Sequence, residues 1–355
     1  AEAINGALVN IAAGSVPIFN GSDQMAYHAA GSGSRINSAA NALDVNTPNS
    51  TGYRIDDGAA LSFSNPTSLT TSGANSTGVI VSGSGSSLNS ANASFNASGQ
   101  GSTAVRAEGG ANATLASGSS INVSGSNAVG VLVNNLRTDL SNALDGTSAA
   151  TTVTSNGNLN GAGSNAIGFD VTNGATLVNN GAVDLTGSNN IGIRSRAGST
   201  LTNNGTVNVA NGTGLDVSGS GSTLAKGGVI NVDNGVAGVR ISDGAQLALT
   251  GSDTVITTQG TAHGILVDSG ASALSASDAT VNVLGSGNGI ENRAELSNVS
   301  LSNLTLNVAN GNGIRTAVPF DPASTVTTNV TGSGTGLNIA NADGSTTRGD
   351  LTLGS

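Results

Sequence analysis

The stretch that decides the fold runs from residue 189 to residue 211 and reads NNIGIRSRAGSTLTNNGTVNVAN. It holds three short segments in which apolar and polar residues alternate, around Ile193, Leu201 and Val207, with Gly, Asn, Ala and Ser between them. Alternation over a few residues, bounded by turn residues of this kind, predicts half-buried β-strands and not helices. We therefore expect three short strands in this stretch.

The first segment belongs to a phrase that recurs along the chain. A small residue, usually glycine, is followed by apolar, variable and apolar residues, as in Ala26–Ala29, Gly192–Ser195 and Gly336–Ile339. The spacing is roughly 22 to 26 residues, and a fixed period of this size indicates a solenoid. We predict an all-β, right-handed parallel β-helix with three short strands per coil and about 13 coils. The right hand follows from the general preference of parallel crossovers.

The second strand of each coil supplies an apolar column. Stacked coils would place its side chains directly above one another in a narrow interior, about 4.8 Å apart. The predicted members are Leu61, Leu88, Leu115, Leu177, Leu201, Leu224, Leu247, Leu274 and Leu296.

Two segments depart from the repeat. Residues 1–25 do not follow the phrase cleanly, and we predict an N-terminal cap and first strands there, because an open β-edge invites aggregation. Residues 26–355 form the predicted β-helix, with an insertion near 134–150. Within the insertion, Leu136, Leu140 and Leu144 are spaced four residues apart, and this spacing predicts a short helix.

Composition excludes several function classes. The formal net charge is −10, with Lys226 the single lysine, so we predict no nucleic-acid partner. There is no cysteine, and the two histidines, His28 and His263, are about ten coils apart on this solenoid. We therefore predict no metal site of the His/Cys kind, no cofactor and no enzymatic activity. The adjacent carboxylates Asp56 and Asp57 keep a polysaccharide-acting enzyme open as an alternative.

The variable position of the phrase forms an outward column in which charges alternate. Opposite charges on neighbouring strands stabilise a sheet, so the alternation supports this alignment of the coils. The column reads Asp170, Arg194, Asp216, Arg240, Leu266, Glu291 and Arg315. The favoured interpretation of this column is structural, as a stabilising and solubilising face of the sheet, and the alternative is a contact surface in which Asp170, Arg194, Asp216 and Arg240 are candidate binding residues.

The third strand presents a second outward column, made largely of asparagines. Its predicted members are Asn122, Asp184, Asn208, Asn231, Ile256, Asn282 and Asn307. We take Asn208, Asn231, Asn282 and Asn307 as further candidates for binding, again as the alternative to a structural role.

Two other places could contact a partner. Insertions in solenoids project from one face and sometimes carry function, which makes Arg137 and Asp139 candidates. The tripeptide Arg348, Gly349, Asp350 is a recognised integrin-binding motif when it is exposed, and it follows a turn-like stretch.

The chain resembles the passenger domain of a bacterial type V autotransporter adhesin, of the AIDA/antigen 43 or pertactin group. The resemblance rests on the recurring phrase, on the links Asn173–Gly181 and Ser199–Gly205 and on the third-strand asparagines, and it covers residues 26–355. It implies presentation on the outer membrane of a Gram-negative bacterium, or release from it. The C-terminal β-barrel that such proteins use is expected to be absent from this chain, which we interpret as a fragment.

Three hypotheses of function remain. The first is a cell-surface adhesin that binds like molecules on neighbouring cells through its polar faces, leading to aggregation and biofilm. The second is an adhesin that binds a host surface or matrix protein through the insertion or the Arg-Gly-Asp motif. The third is a rigid stalk that displays something else.

Overall fold

The computed structural model describes residues 1–91, 93–296, 298–316, 318 and 325–339. Within these residues the regular structure is entirely β-strand, without a helix. Parallel strands stack as a β-solenoid of about 13 turns, which confirms the predicted fold class. The right-handed sense of the winding stays a prediction.

The chain divides into two compact units, Ala1–Gly187 and Ser188–Ser355. The strands of the first unit are β1 (Glu2–Ile4), β2 (Leu8–Ile11), β3 (Met25–Ala30), β4 (Arg35–Ser38), β5 (Ala42–Val45), β6 (Thr51–Asp56), β7 (Ala60–Phe63), β8 (Thr67–Thr71), β9 (Thr77–Ser82), β10 (Ser87–Asn89), β11 (Ala93–Ala97), β12 (Thr103–Glu108), β13 (Asn112–Leu115), β14 (Ser120–Val123), β15 (Val129–Asn134), β16 (Leu136–Thr138), β17 (Leu144–Ser148), β18 (Thr152–Ser155), β19 (Asn158–Gly161), β20 (Ile167–Thr172), β21 (Thr176–Asn179) and β22 (Ala182–Leu185).

The strands of the second unit include two long ones, β25 and β27, each joining a third strand to the next first strand without a break. The bounds are β23 (Asn190–Arg196), β24 (Thr200–Asn203), β25 (Thr206–Ser218), β26 (Thr223–Lys226), β27 (Val229–Ser242), β28 (Gln246–Thr250), β29 (Val255–Thr258), β30 (His263–Val267), β31 (Ala273–Ser277), β32 (Thr280–Val283), β33 (Ile290–Asn292), β34 (Asn298–Ser302), β35 (Leu304–Val308), β36 (Ile314–Thr316), β37 (Val326–Val330) and β38 (Leu337–Ile339).

Apart from β16 and β17, the strands pair in parallel with their equivalents one turn away. In the first unit, Tyr53 of β6 lies beside Val79 of β9, and Val79 lies beside Val105 of β12. The N-terminal strands follow the same rule, because β1 pairs in parallel with β3 and β2 with β4. Residues 1–11 therefore continue the stack of the first unit; a capping role for them stays a prediction.

Aromatic side chains stack inside the first unit. The rings of Tyr27 and Tyr53 are stacked with centroids 5.0 Å apart, and Tyr53 meets Phe63 edge to face at 5.7 Å. Phe63 contacts Phe95 in the same way at 5.8 Å. Burial raises the pKa of Tyr53 to about 12, and its hydroxyl is 2.9 Å from that of Ser38, so the buried polar atom is satisfied.

The leucine column of the second unit is continuous from Leu201 through Leu224 and Leu247 to Leu274. The prediction was wrong at two positions. Ala113 pairs with Leu88 where Leu115 was expected, and Val299 pairs with Leu274 where Leu296 was expected. The pairing of the whole strand sets the register. The residue that stacks on a leucine is therefore not always the leucine found nearby in the next repeat.

The leading residue of the phrase is small because the next turn approaches it closely. A Cβ added at Gly214 would lie 2.5 Å from the carbonyl oxygen of Gly238 and 2.5 Å from Cγ2 of Ile230. At Gly192, the same atom would lie 2.4 Å from Cγ1 of Val207. The third-strand side chains fill the space that these missing Cβ atoms leave.

A substitution in the leucine column tests the stacked core. Leu224 is fully buried between Leu201 and Leu247, so Leu224→Ala should lower the free energy of unfolding by about 2–5 kcal/mol through lost burial and a residual cavity. Denaturant unfolding followed by circular dichroism measures this change. The matched control is Leu284→Ala, because Leu284 is 59% exposed. The free energy of unfolding of this variant should differ from that of the parent by no more than about 0.5 kcal/mol. Equal losses in both variants would contradict the stacked core.

Candidate functional site

The charge column of the second unit has the predicted register. Arg194 pairs with Asp216, Asp216 with Arg240 and Arg240 with Leu266. Nη1 of Arg240 is 3.5 Å from Oδ1 of Asp216. Arg240 also donates to Oδ2 of Asp268 from Nε at 3.2 Å and from Nη2 at 3.0 Å. Arg240 therefore forms ion pairs with carboxylates of both neighbouring turns.

The carboxylates of this column are less exposed than the sequence suggested. Asp216 is 8% exposed and Glu291 is 1% exposed. Glu291 accepts from Nη1 of Arg315 at 2.6 Å and from Nε of Arg293 at 3.2 Å. Nδ2 of Asn288 donates to its second oxygen at 2.6 Å. Glu291 therefore holds an internal network and offers little surface to a partner.

His263 lies beside this network. Its Nδ1 accepts from the backbone N–H of Asn288 at 3.1 Å, which fixes the neutral tautomer with the hydrogen on Nε2. Burial lowers the pKa of His263, although the charge of Glu291 opposes that effect. The imidazole is therefore a neutral structural group at physiological pH.

In the first unit, the same column is partly buried. His28 pairs with Arg54, Arg54 with Ile80, Ile80 with Arg106, Arg106 with Leu132 and Leu132 with Asp170. Arg54 is 2% exposed, and Asp170, on β20, is 3% exposed. An outward position in the sheet therefore does not mean exposure to solvent here, and Arg54 is in contact with the insertion after β15 through the carbonyl oxygen of Thr138.

The insertion is a β-hairpin, so the predicted helix is wrong. Strands β16 and β17 pair antiparallel, with Leu136 opposite Ser148 and Thr138 opposite Leu144. Asp139 accepts from the backbone N–H groups of Ser141 and Ala143, at 2.8 and 3.0 Å, and so closes a tight turn. The four-residue spacing of the leucines does not produce a helix, because Asp139 and the polar residues after it favour a turn stabilised by side chain–backbone hydrogen bonds.

Buried charges anchor the hairpin to the solenoid. Thr138 donates from its backbone N–H at 3.0 Å and from Oγ1 at 2.6 Å to Oε1 of Glu108, which is fully buried. Nη2 of Arg54 donates to the carbonyl oxygen of Thr138. Nε of Arg106 lies 2.6 Å from the second oxygen of Glu108. The insertion is therefore fixed by contacts that only the folded stack assembles.

Arg137 fixes the hairpin to the end of β6, three turns away along the stack. Its Nη1 and Nη2 each lie 2.9 Å from an oxygen of Asp57, and Nη2 is 3.5 Å from Asp56. The adjacent carboxylates Asp56 and Asp57 are therefore both within ion-pair distance of this guanidinium. Both aspartates therefore take part in ion pairing within the fold.

His28 joins the same network from the other side. Its Nδ1 is 2.9 Å from Glu2 and its Nε2 is 3.0 Å from Asp56. The hydrogen bond with Asp56 raises the pKa of His28, with a further contribution from Glu2, against the opposing effect of burial. Burial acts to raise the pKa of Asp56, but hydrogen bonds from His28 and Arg54 outweigh it and leave that pKa lowered.

The third-strand face carries a hydrogen-bonded asparagine ladder. Nδ2 of Asn231 donates to Oδ1 of Asn208 at 2.8 Å, Asn307 donates to Asn282 at 2.9 Å, and Asn329 donates to Asn307 at 2.9 Å. In the first unit, Asn122 donates to Asn96 at 2.7 Å.

The predicted asparagine column was wrong at one position. Ile256 is buried beside Ile230, and Thr257 occupies the outward place next to Asn231 and Asn282. The alternation of apolar and polar residues in that strand begins one position later than assumed.

The remaining candidates have different outcomes. Arg348, Gly349 and Asp350 lie outside the described residues. Among the described residues, no group of three or more His, Cys, Asp or Glu side chains could hold a metal ion. No helix in the same part of the chain is long and apolar enough to cross a membrane.

A scan against protein-family models finds no match, and neither a search of curated proteins nor one of solved structures finds a matching protein.

Removing the buried guanidinium tests the anchoring of the hairpin. Arg54→Ala leaves Glu108 and Asp56 buried with fewer partners, which typically costs about 3–5 kcal/mol of unfolding free energy. Denaturant unfolding and limited proteolysis within residues 139–147 measure the loss and the release of the hairpin. The control is Arg35→Ala, because Arg35 is exposed on β4. Unchanged proteolysis in Arg54→Ala would contradict this anchoring.

The raised pKa of Asp216 gives a pH dependence with a defined sign. Burial raises this pKa, although Arg240 and Arg194 oppose the shift. The folded state therefore favours the protonated acid, and the stability from this group is full below its unfolded pKa and is lost as pH rises through the folded value. Relative to the parent, Asp216→Asn should gain thermal stability between pH 4 and pH 7. Asp233→Asn, at an exposed site, is the control; a gain that is constant with pH would contradict the assignment.

Proposed function

We propose that this chain is the passenger region of a bacterial surface adhesin, and that copies of it associate through the asparagine-bearing face of the third strands. The parallel β-solenoid supports the first part, since it is compatible with such a passenger. The hydrogen-bonded ladder of Asn282, Asn307 and Asn329 carries the second part.

The chemistry of the ladder suits a second copy of the same face. An amide side chain has two N–H groups and an accepting oxygen, and each axial bond uses one N–H of the donor and one lone pair of the acceptor. The amides of Asn231, Asn282 and Asn307 are partly exposed, so they retain capacity for a lateral partner. A like face presents the same groups at the same spacing of about 4.8 Å along the stack.

The charge column is a weaker candidate for this association. Arg240 is engaged by Asp216 and Asp268, and Glu291 is buried between Arg315 and Arg293. Using these groups across an interface would require breaking ion pairs that already exist. Among the candidate faces, we therefore assign self-association to the asparagines.

A charge-exchange experiment tests the association. The double variants Asn231→Asp with Asn307→Asp, and Asn231→Lys with Asn307→Lys, place like charges on both copies of the face. Each double variant alone should be monomeric in sedimentation velocity at concentrations where the parent forms dimers. A mixture of the two should recover the dimers, because opposite charges then meet.

The control places charges on the second strands, as Gln246→Asp with Asn298→Asp, at exposed positions. This variant should associate like the parent. A parent that stays monomeric at every concentration, or an Asp variant that associates as strongly as the parent, would refute self-association through this face.

A second candidate function is binding to a host surface protein through the hairpin. Leu140 is 59% exposed and Leu144 is 63% exposed. Two exposed apolar side chains on an anchored hairpin favour contact with another protein. A Leu140→Ser, Leu144→Ser variant should lose adhesion to host cells and keep self-association. If the loss appears equally in both assays, the two functions do not separate in this way.

A further inference from the structure

A groove of about 380 Å³ lies in the second unit, at the corner where the third strands lead into the first strands. Its rim carries Asn189, Asn211 and Asn234, which are exposed and follow one another at intervals of one turn. This groove is separate from the third-strand ladder, and the inference drawn from it does not rest on the proposed function.

The groove exists because the corner is short. In β25 the chain passes from Val209 to Leu215 as one unbroken strand, whereas the equivalent residues Val123 and Val131 of the first unit are separated by a longer link with a turn. The groove lies where this link is shorter. The next turn is also continuous, since β27 runs unbroken from Val229 to Ser242.

Backbone forms part of the floor. A Cβ at Gly212 would lie 1.9 Å from the carbonyl oxygen of Asn190, and one at Gly235 would lie 2.1 Å from the carbonyl oxygen of Gly212. Neither position can accept a side chain without moving the chain. Close stacking of the turns therefore requires glycine at both positions, and both glycines line the groove and are partly exposed.

The lining specifies a neutral, hydroxyl-bearing ligand. None of the described residues that line the groove is charged. The amides of Asn211 and Asn234 each combine donors with an acceptor, as sugar hydroxyls do. Ile191 and Val236 add apolar surface, and Val236 is 47% exposed, which suits the C–H face of a sugar ring.

An extended peptide fits this site less well. A peptide that adds to a sheet needs a free strand edge for main-chain hydrogen bonds. Here β25 is already paired on both sides, with β23 and with β27. The main-chain groups along this strand are therefore used within the stack, and side-chain amides are what the rim offers.

We propose that this groove binds a neutral oligosaccharide, with Asn211 and Asn234 hydrogen-bonding its hydroxyls and Val236 packing against a sugar ring. Three turns span roughly 10 Å along the stack. The volume is at the lower end of the range for small-molecule sites, about 300–1,000 Å³. The groove therefore accommodates two or so sugar rings of a longer neutral chain.

Calorimetric titration of the chain with two hexasaccharides tests this inference, one of β-1,4-linked glucose and one of β-1,4-linked N-acetylglucosamine. At least one should bind, and the Asn211→Ala, Asn234→Ala variant should bind it at least about tenfold more weakly, since it lacks both amides that hydrogen-bond the sugar. The matched control Asn298→Ala, at an exposed asparagine outside the groove, should bind like the parent.

Three results would overturn the proposal: no binding of either hexasaccharide, equal binding by the parent and the double variant, or binding of a blocked alanine hexapeptide without binding of either sugar. The Asn231→Asp, Asn307→Asp variant should retain saccharide binding even when it no longer self-associates. Failure of the groove is thereby distinguished from failure of the adhesive face.

Discussion

Parallel stacking in register is the constraint on which the rest of this protein depends. Each residue lies beside its equivalent one turn away, so a side chain is selected mainly by its compatibility with near copies of itself. Leucine stacks on leucine inside the second unit, and asparagine bonds to asparagine outside it. The narrow interior also explains why the phrase begins with glycine, where another turn approaches within van der Waals distance.

Charged residues also lie beside their equivalents one turn away, but here the neighbours differ in sign, because like charges repel across a strand pair. Arg194, Asp216 and Arg240 alternate in sign and lie side by side. Burial makes this arrangement costly for a carboxylate, as the raised pKa of Asp216 indicates. Arg240 offsets only part of that cost, so the pairing matches neighbouring strands in register without a net gain in stability from the Asp216 charge.

Departures from the repeat produce the features that distinguish one part of the stack from another. In the first unit, a hairpin covers Arg54 and Glu108 and is held by them. In the second unit, shortened corners expose Gly212 and Gly235 as the floor of a groove. Such features combine a rigid scaffold with locally variable loops, which is where proteins commonly place binding functions.

The sequence by itself determined the period, the all-β class and the axial alignment of the charge column, because a solenoid makes each of these a local, repeated pattern. The tertiary structure decided which residues are covered. Asp170 and Glu291 occupy outward positions and yet are buried, and the leucines of the insertion lie on a hairpin and not on a helix. The interactions that fix the hairpin join residues as far apart as Arg54 and Thr138, and no short-range pattern contains them. Ile256 shows the same limit on a smaller scale, since its inward place follows from pairing with Ile230 on the neighbouring turn.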